Sequence, residues 1–130
     1  MINLNKALLN LLFILFAIIL ISCNASQKLK EGTYTASTES VSLSIKLYDG
    51  NKYKVLMEGE TVVEWVYEIK DNMLIVTDKK GSHACLNNPK ATYKWIIKDN
   101  KVTLTAIKDE CSGRKAALTS HPFIMEWELN

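Results

Sequence analysis

The sequence predicts an all-β protein, a single antiparallel up-and-down β-barrel of about eight or nine strands behind an N-terminal signal peptide. Three observations carry this expectation. In Ala91–Thr105, Tyr93, Trp95 and Ile97 alternate with Lys94, Ile96 and Lys98, and after Asp99-Asn100 the residues Val102 and Leu104 alternate with Lys101, Thr103 and Thr105. Period-two alternation on both sides of a tight polar turn is the pattern of a β-hairpin. The same pattern occurs once before, where Glu64–Lys70 passes through Asp71-Asn72 into Met73–Thr77. Finally, the apolar N-terminal run stops at a cysteine and the chain turns polar at once.

At 130 residues one domain is expected. A net charge of +2 and an ordinary apolar content exclude a disordered chain. No basic run is present that would track phosphates, so no nucleic-acid partner is expected.

Residues 1–22 read as a lipoprotein signal peptide. Lys6 supplies a short positive region, and Leu11–Ile21 is an unbroken apolar run. The run suits a signal-peptide core, whereas a spanning helix needs roughly 18 residues or more. Leu20-Ile21-Ser22-Cys23 resembles the bacterial lipobox, which implies cleavage before Cys23 and acylation of that residue. Several acyl chains, at about 0.8 kcal/mol per buried CH₂, make a durable bilayer anchor. The competing reading is a plain signal peptide or anchor helix with an incidental cysteine. Residues 23–31 are the lipidated cysteine and a polar tether, and Asn24 is not the aspartate linked in proteobacteria to inner-membrane retention. The expected location is the bacterial cell envelope, on the outer membrane, facing the periplasm or the surface.

Residues 32–130 are the barrel domain. Gly32–Ser37 opens it. Val41, Leu43, Ile45 and Leu47 share one face of the next strand, and Asp49-Gly50-Asn51 turns the chain. Tyr53, Val55 and Met57 point inward on the third strand, and Glu58-Gly59-Glu60 turns again. Thr61–Lys70 carries Trp65, Tyr67 and Ile69 inward, and Met73–Thr77 follows. Asp78–Lys90 and Lys108–Lys115 read as loops, flanking the hairpin Ala91–Ile107. Ala116-Ala117-Leu118 reads equally as one helical turn or as a strand start. Pro122–Glu128 is the last strand, with Phe123, Met125 and Trp127 on one face. Closure into a barrel removes the open edges that such a meander would leave.

With Cys23 acylated, Cys85 and Cys111 remain, and an oxidising compartment favours a disulfide between them. A closed loop of about 26 residues stabilises by roughly 3 kcal/mol through chain entropy. Two buried free thiols are the alternative. A metal site is disfavoured because each cysteine stands alone.

Several of these features coincide with a known architecture. Gly32-Thr33-Tyr34 resembles the Gly-x-Trp opening of lipocalins, with tyrosine in place of tryptophan. The run Thr77-Asp78, Cys85, Thr92-Tyr93-Lys94-Trp95, Asp99-Asn100, Leu104-Thr105, Cys111-Ser112-Gly113-Arg114 and His121-Pro122 is similar to that of small bacterial lipocalin-like proteins. The resemblance implies an up-and-down barrel and the binding of a small apolar molecule. It also implies that Arg114 packs over the first-strand aromatic, so that Tyr34 and Arg114 close the barrel together. It implies no reaction, because the family is defined by architecture.

The inward parities of Trp65, Tyr67, Tyr93, Trp95, Phe123 and Trp127 make them candidates for a ligand pocket. The competing reading, which the small size of the domain favours, is that these residues simply fill the core. Arg114 either grips a ligand carboxylate or caps the closed end of the barrel. His83 and His121, the two histidines of the chain, have no carboxylate at metal-ligand or catalytic spacing, so neither a metal nor a cofactor is expected. Glu64 and Glu68 alternate with Trp65 and Tyr67 and therefore belong to the solvated face, which leaves no carboxylate pair for hydrolysis. No nucleophile motif occurs, so an enzyme is not expected. The sequence points to a lipid-anchored barrel that binds a small hydrophobic ligand. The competing function is a protein-binding, inhibitor-like module with a filled barrel, presenting the loops Asp78–Lys90 and Lys108–Lys115.

Overall fold

Alternation along the strands and polar two-residue turns between them produce a meander in which every strand pairs with the next. The computed structural model describes residues 5–7 and 28–126, so Cys23 and Trp127 lie outside the described residues. Eight strands run in order: β1 Gly32–Ser37, β2 Ser42–Tyr48, β3 Lys52–Met57, β4 Glu60–Lys70, β5 Met73–Lys80, β6 Lys90–Lys98, β7 Lys101–Lys108 and β8 Phe123–Glu126. One helix, α1 (Ser112–Thr119), lies between β7 and β8. The strands form a closed antiparallel barrel in sequence order, with β8 pairing back to β1 through Tyr34↔Met125. This architecture is compatible with a lipocalin-like fold.

The turns follow from local chemistry. Glu58-Gly59 and Asp99-Asn100 join the directly paired residues Met57↔Glu60 and Lys98↔Lys101. All four turn residues have positive φ, the condition for the two-residue turn that matches strand twist. A bulge between Val55 and Leu56 sets Val62 as an extra residue on β4. Val62 and Val63 are therefore both buried, although they are adjacent in a strand. Such bulges add the local bend that lets a sheet curl.

Four sequence expectations differ in detail. β5 continues past Thr77 to Lys80, because Asp78 keeps the inward parity of Leu74 and Val76 and finds a buried cationic partner. The segment expected as a loop through Lys115 becomes α1 from Ser112 onward. Val41 and Ile69 are exposed, since one precedes β2 and the other lies on the part of β4 that runs past its pairing with β3. The last strand begins at Phe123 rather than Pro122, which lacks the amide hydrogen a ladder needs.

The barrel has two unlike ends. The end with the Asp49, Asp71 and Asp99 turns is filled. Leu29 lies over it, and only about 20 Å³ remains free among Tyr34, Leu47, Leu74 and Phe123, room for about one water. The other end carries the Gly81–Pro89 loop and α1. The β7–β8 ladder is confined to Lys101 and Val102, next to the Asp99 turn, so toward this end β7 runs on without β8, and α1 packs against β7. All eight strands and the described core lie within residues 29–126, so the barrel closes on itself without the N-terminal segment.

Candidate functional site

Beneath α1 the barrel opens into a cavity of about 270 Å³. Leu43 on β2, Val55 and Met57 on β3, and Val62, Val63 and Trp65 on β4 form one wall. Leu118 of α1 closes the roof and is 2 % exposed. The disulfide, Gly113 and Ala117 lie along the rim with His83. Two features hold the mouth in place. Gly81 has φ +131°, and a Cβ there would stand 2.2 Å from the Val62 carbonyl oxygen. The loop therefore lies directly on β4, and the His83 amide donates to the same Val62 oxygen at 3.0 Å. Cys85 and Cys111 are disulfide-bonded, tying this loop to the residue that precedes α1.

One side of the cavity rests on a buried ionic cluster. Arg114 and Leu118 are the buried residues of α1, one turn apart, so the same helical face that roofs the cavity also delivers a guanidinium. Arg114 Nε donates to Asp109 Oδ2 at 2.9 Å and Nη2 donates to Asp109 Oδ1 at 2.7 Å, a bidentate pair. Its remaining donors reach the Pro89 and Asn88 carbonyls, both at 2.8 Å, and Nη1 lies 3.2 Å from Asp78 Oδ1. Asp109 also accepts from the Cys111 amide at 2.8 Å and from the Tyr93 hydroxyl. Asp78 accepts from the Cys85 amide at 2.6 Å. Strand, loop and helix are thus joined through one guanidinium, and neither aspartate side chain is exposed.

The two carboxylates are tuned in opposite directions. Burial pushes Asp78 up, and the Cys85 amide and Arg114 only partly offset it. Burial also acts upward on Asp109, but Arg114, Tyr93 and the Cys111 amide outweigh it and hold that carboxyl below its ordinary value. The Tyr93 hydroxyl is pushed far up, by burial first and by its bond to Asp109 next. Arg114 stays charged: burial disfavours the cation, and the two aspartates more than compensate.

The candidate pocket aromatics do not act as one group. Trp65 lines the cavity; its ring packs on Tyr53 with centroids 4.3 Å apart, and the Arg114 guanidinium lies 5.7 Å from it. Its indole N–H is buried without a partner. Tyr93 is fully buried and spends its hydroxyl on Asp109. Trp95 is buried in the core, Tyr67 packs edge-on against Tyr53, and Phe123 faces the filled end. Tyr34 and Arg114 do not meet. Tyr34 sits at the filled end, where its hydroxyl donates to the Lys30 carbonyl, while Arg114 serves the opposite end on α1. Among the described residues, no cluster of three or more metal-ligating side chains occurs.

Sequence reasoning did not single out Asp78 or Asp109 as site residues. Asp78 was findable, because it continues the inward parity of Leu74 and Val76. Asp109 had no such signal, since it follows the end of β7 and owes its place to Arg114 and Tyr93. Compared with known proteins, no family model matches the chain, no curated protein matches it, and no solved structure matches it.

Proposed function

We propose that this chain is a lipid-anchored barrel of the bacterial cell envelope that holds a small apolar molecule in the cavity beneath α1. One observation carries the reading: the interior is filled to about 20 Å³ at one end and left open by about 270 Å³ at the other. Packed interiors contain few voids larger than a water molecule, so space of this size behind an apolar wall is the feature to explain. The lipobox-like Leu20-Ile21-Ser22-Cys23 and the lipocalin-like run of residues support an acylated Cys23 and an exported, ligand-binding barrel. The anchor would hold the barrel at the bilayer, where apolar molecules concentrate, with the chain entering the barrel at the filled end and the mouth at the opposite end. The reading assigns the chain no reaction.

Native mass spectrometry of the chain from Asn24 onward, purified oxidised from a periplasm, tests binding. An adduct that is lost in organic solvent is expected, and a bare mass that stays bare with a panel of apolar compounds would overturn it. Labelled palmitate should enter the full chain and not its Cys23→Ser variant; equal labelling would overturn the anchor. A second reading, a protein-binding module, is favoured by Leu86, 62 % exposed on the disulfide-braced loop. Leu86→Asp separates the two, because it should weaken a protein partner and leave small-molecule binding unchanged.

A further inference from the structure

We infer that the cavity selects a compact, uncharged molecule of about ten heavy atoms and discriminates against fatty acids and other anionic amphiphiles. The inference rests on the ligand-binding reading above and narrows it to a chemical class.

Size comes first. An apolar cavity of about 150 Å³ accommodates benzene, so by proportion about 270 Å³ takes ten or so heavy atoms. A long-chain fatty acid has nearly twice as many. The filled lower end offers no continuation for its tail, because Phe123, Leu74 and Tyr53 close the barrel axis there.

Charge comes second. A barrel that carries an anion needs a cation with a free donor. Arg114 is the buried cation beside this cavity, and its donors are already committed to Asp109, Pro89, Asn88 and the neighbouring Asp78. Behind the wall stand two carboxylates for one guanidinium, so a ligand carboxylate meets no free cation, only the neutral indole N–H of Trp65, against a negative background. Burying an unpaired carboxylate is costly enough that binding is lost instead. His83 lies on the exposed rim beside Ser82 Oγ at 3.0 Å, where water competes for any anion. Apart from Trp65, whose single N–H can serve a neutral acceptor, the wall is hydrocarbon and thioether: Leu43, Val55, Met57, Val62, Val63 and Leu118. Met57 is unbranched and adapts to ligands of differing outline.

The test is isothermal titration of the oxidised chain from Asn24 onward, without detergent, against three probes. p-Cymene is compact and neutral, 4-isopropylbenzoate is its close carboxylate analogue, and palmitate is long and anionic. Saturable binding of p-cymene is expected, with 4-isopropylbenzoate weaker by tenfold or more and palmitate not bound. Ala117→Trp places a large ring at the rim from the exposed side of α1, where folding tolerates it, and should abolish p-cymene binding. If the carboxylate or palmitate binds as tightly as p-cymene, the inferred class is wrong while a ligand-binding barrel stands. If none of the probes binds, both readings fall. If folded Ala117→Trp binds p-cymene unchanged, the site is not this cavity and the inference is overturned.

Discussion

Replacing Asp109 by asparagine should destabilise the barrel far more than the same change at Asp78, although both carboxylates are buried against Arg114. Asp109 accepts from Arg114 twice, at 2.9 and 2.7 Å, from the Cys111 amide at 2.8 Å and from the Tyr93 hydroxyl. Asparagine keeps one acceptor oxygen and turns an NH₂ toward donors. Hydrogen bonds to charged groups contribute about 1.5–3 kcal/mol each, and breaking one side of a buried ion pair costs about 3–5 kcal/mol. We expect a loss of about 4 kcal/mol for Asp109→Asn, a large part of the roughly 5–15 kcal/mol that holds a domain together. At about 4–8 °C per kcal/mol in a domain of this size, Tm should fall by roughly 15 °C or more. Asp78 differs. Its Oδ2 takes the Cys85 amide, its Oδ1 has no aligned hydrogen bond, and burial already disfavours its charge. Asparagine retains the amide acceptor, so Asp78→Asn should cost about 1 kcal/mol or less. Urea denaturation at pH 7 under oxidising conditions reads both. Equal losses, or a larger loss at Asp78, would refute the assignment of Asp109 as the principal counter-ion.

The same pair sets a pH dependence of defined sign. Asp109 is held below 3.8, so its contribution is whole above that value and drains away as pH falls through the lower folded pKa. The urea midpoint should drop below pH 4, and Asp109→Asn should lack this part of the decline. Asp78 is raised above 3.8, so its contribution is present below that value and lost as pH rises through the folded pKa; Asp78→Asn should therefore become relatively less costly between pH 4 and pH 7. Replacing Cys85 and Cys111 together by serine should cost about 3 kcal/mol by chain entropy for a separation of 26 residues. The near-ultraviolet circular dichroism of that variant should stay native, because Arg114 still bridges Asn88, Pro89 and Asp109. Gly81→Ala places a Cβ 2.2 Å from the Val62 oxygen at φ +131° and should lower stability by about 2 kcal/mol or more, read from the same urea curves. Leu118→Ala should cost about 2–5 kcal/mol and enlarge the cavity, so that calorimetry finds longer neutral ligands accepted.

Strands and turns were legible because their causes are local. Tyr93-Lys94-Trp95 alternates in any surroundings, and Asp99-Asn100 tolerates positive φ wherever it occurs. Of the helix, only one turn at Ala116-Ala117-Leu118 was legible, with a strand start as its alternative. Ser112–Thr119 buries only Arg114 and Leu118, has no side-chain hydrogen bond at its N-cap and presents a stripe too narrow to read as amphipathic. Its position is set by the buried ion pair and the disulfide, which form only once β5, β6 and the loop between them are in place. For the same reason Arg114 was expected over Tyr34 and is found over Trp65. Inward parity named Trp65, Tyr67, Tyr93 and Trp95 correctly as facing inside, yet parity says nothing about whether side chains meet in the middle. That depends on the bulge that turns both Val62 and Val63 inward, and on the Gly81 contact that draws the loop onto β4.

Methyl-resolved NMR of the oxidised chain during titration with p-cymene tests most directly whether a small apolar molecule enters the barrel beneath α1. Shifts confined to Leu43, Val55, Val62, Val63 and Leu118, with Leu29, Leu47 and Leu74 unmoved, are expected. Shifts scattered over the outer faces at Ile96, Ile107 and Ile124, with the cavity methyls unchanged at saturation, would contradict it.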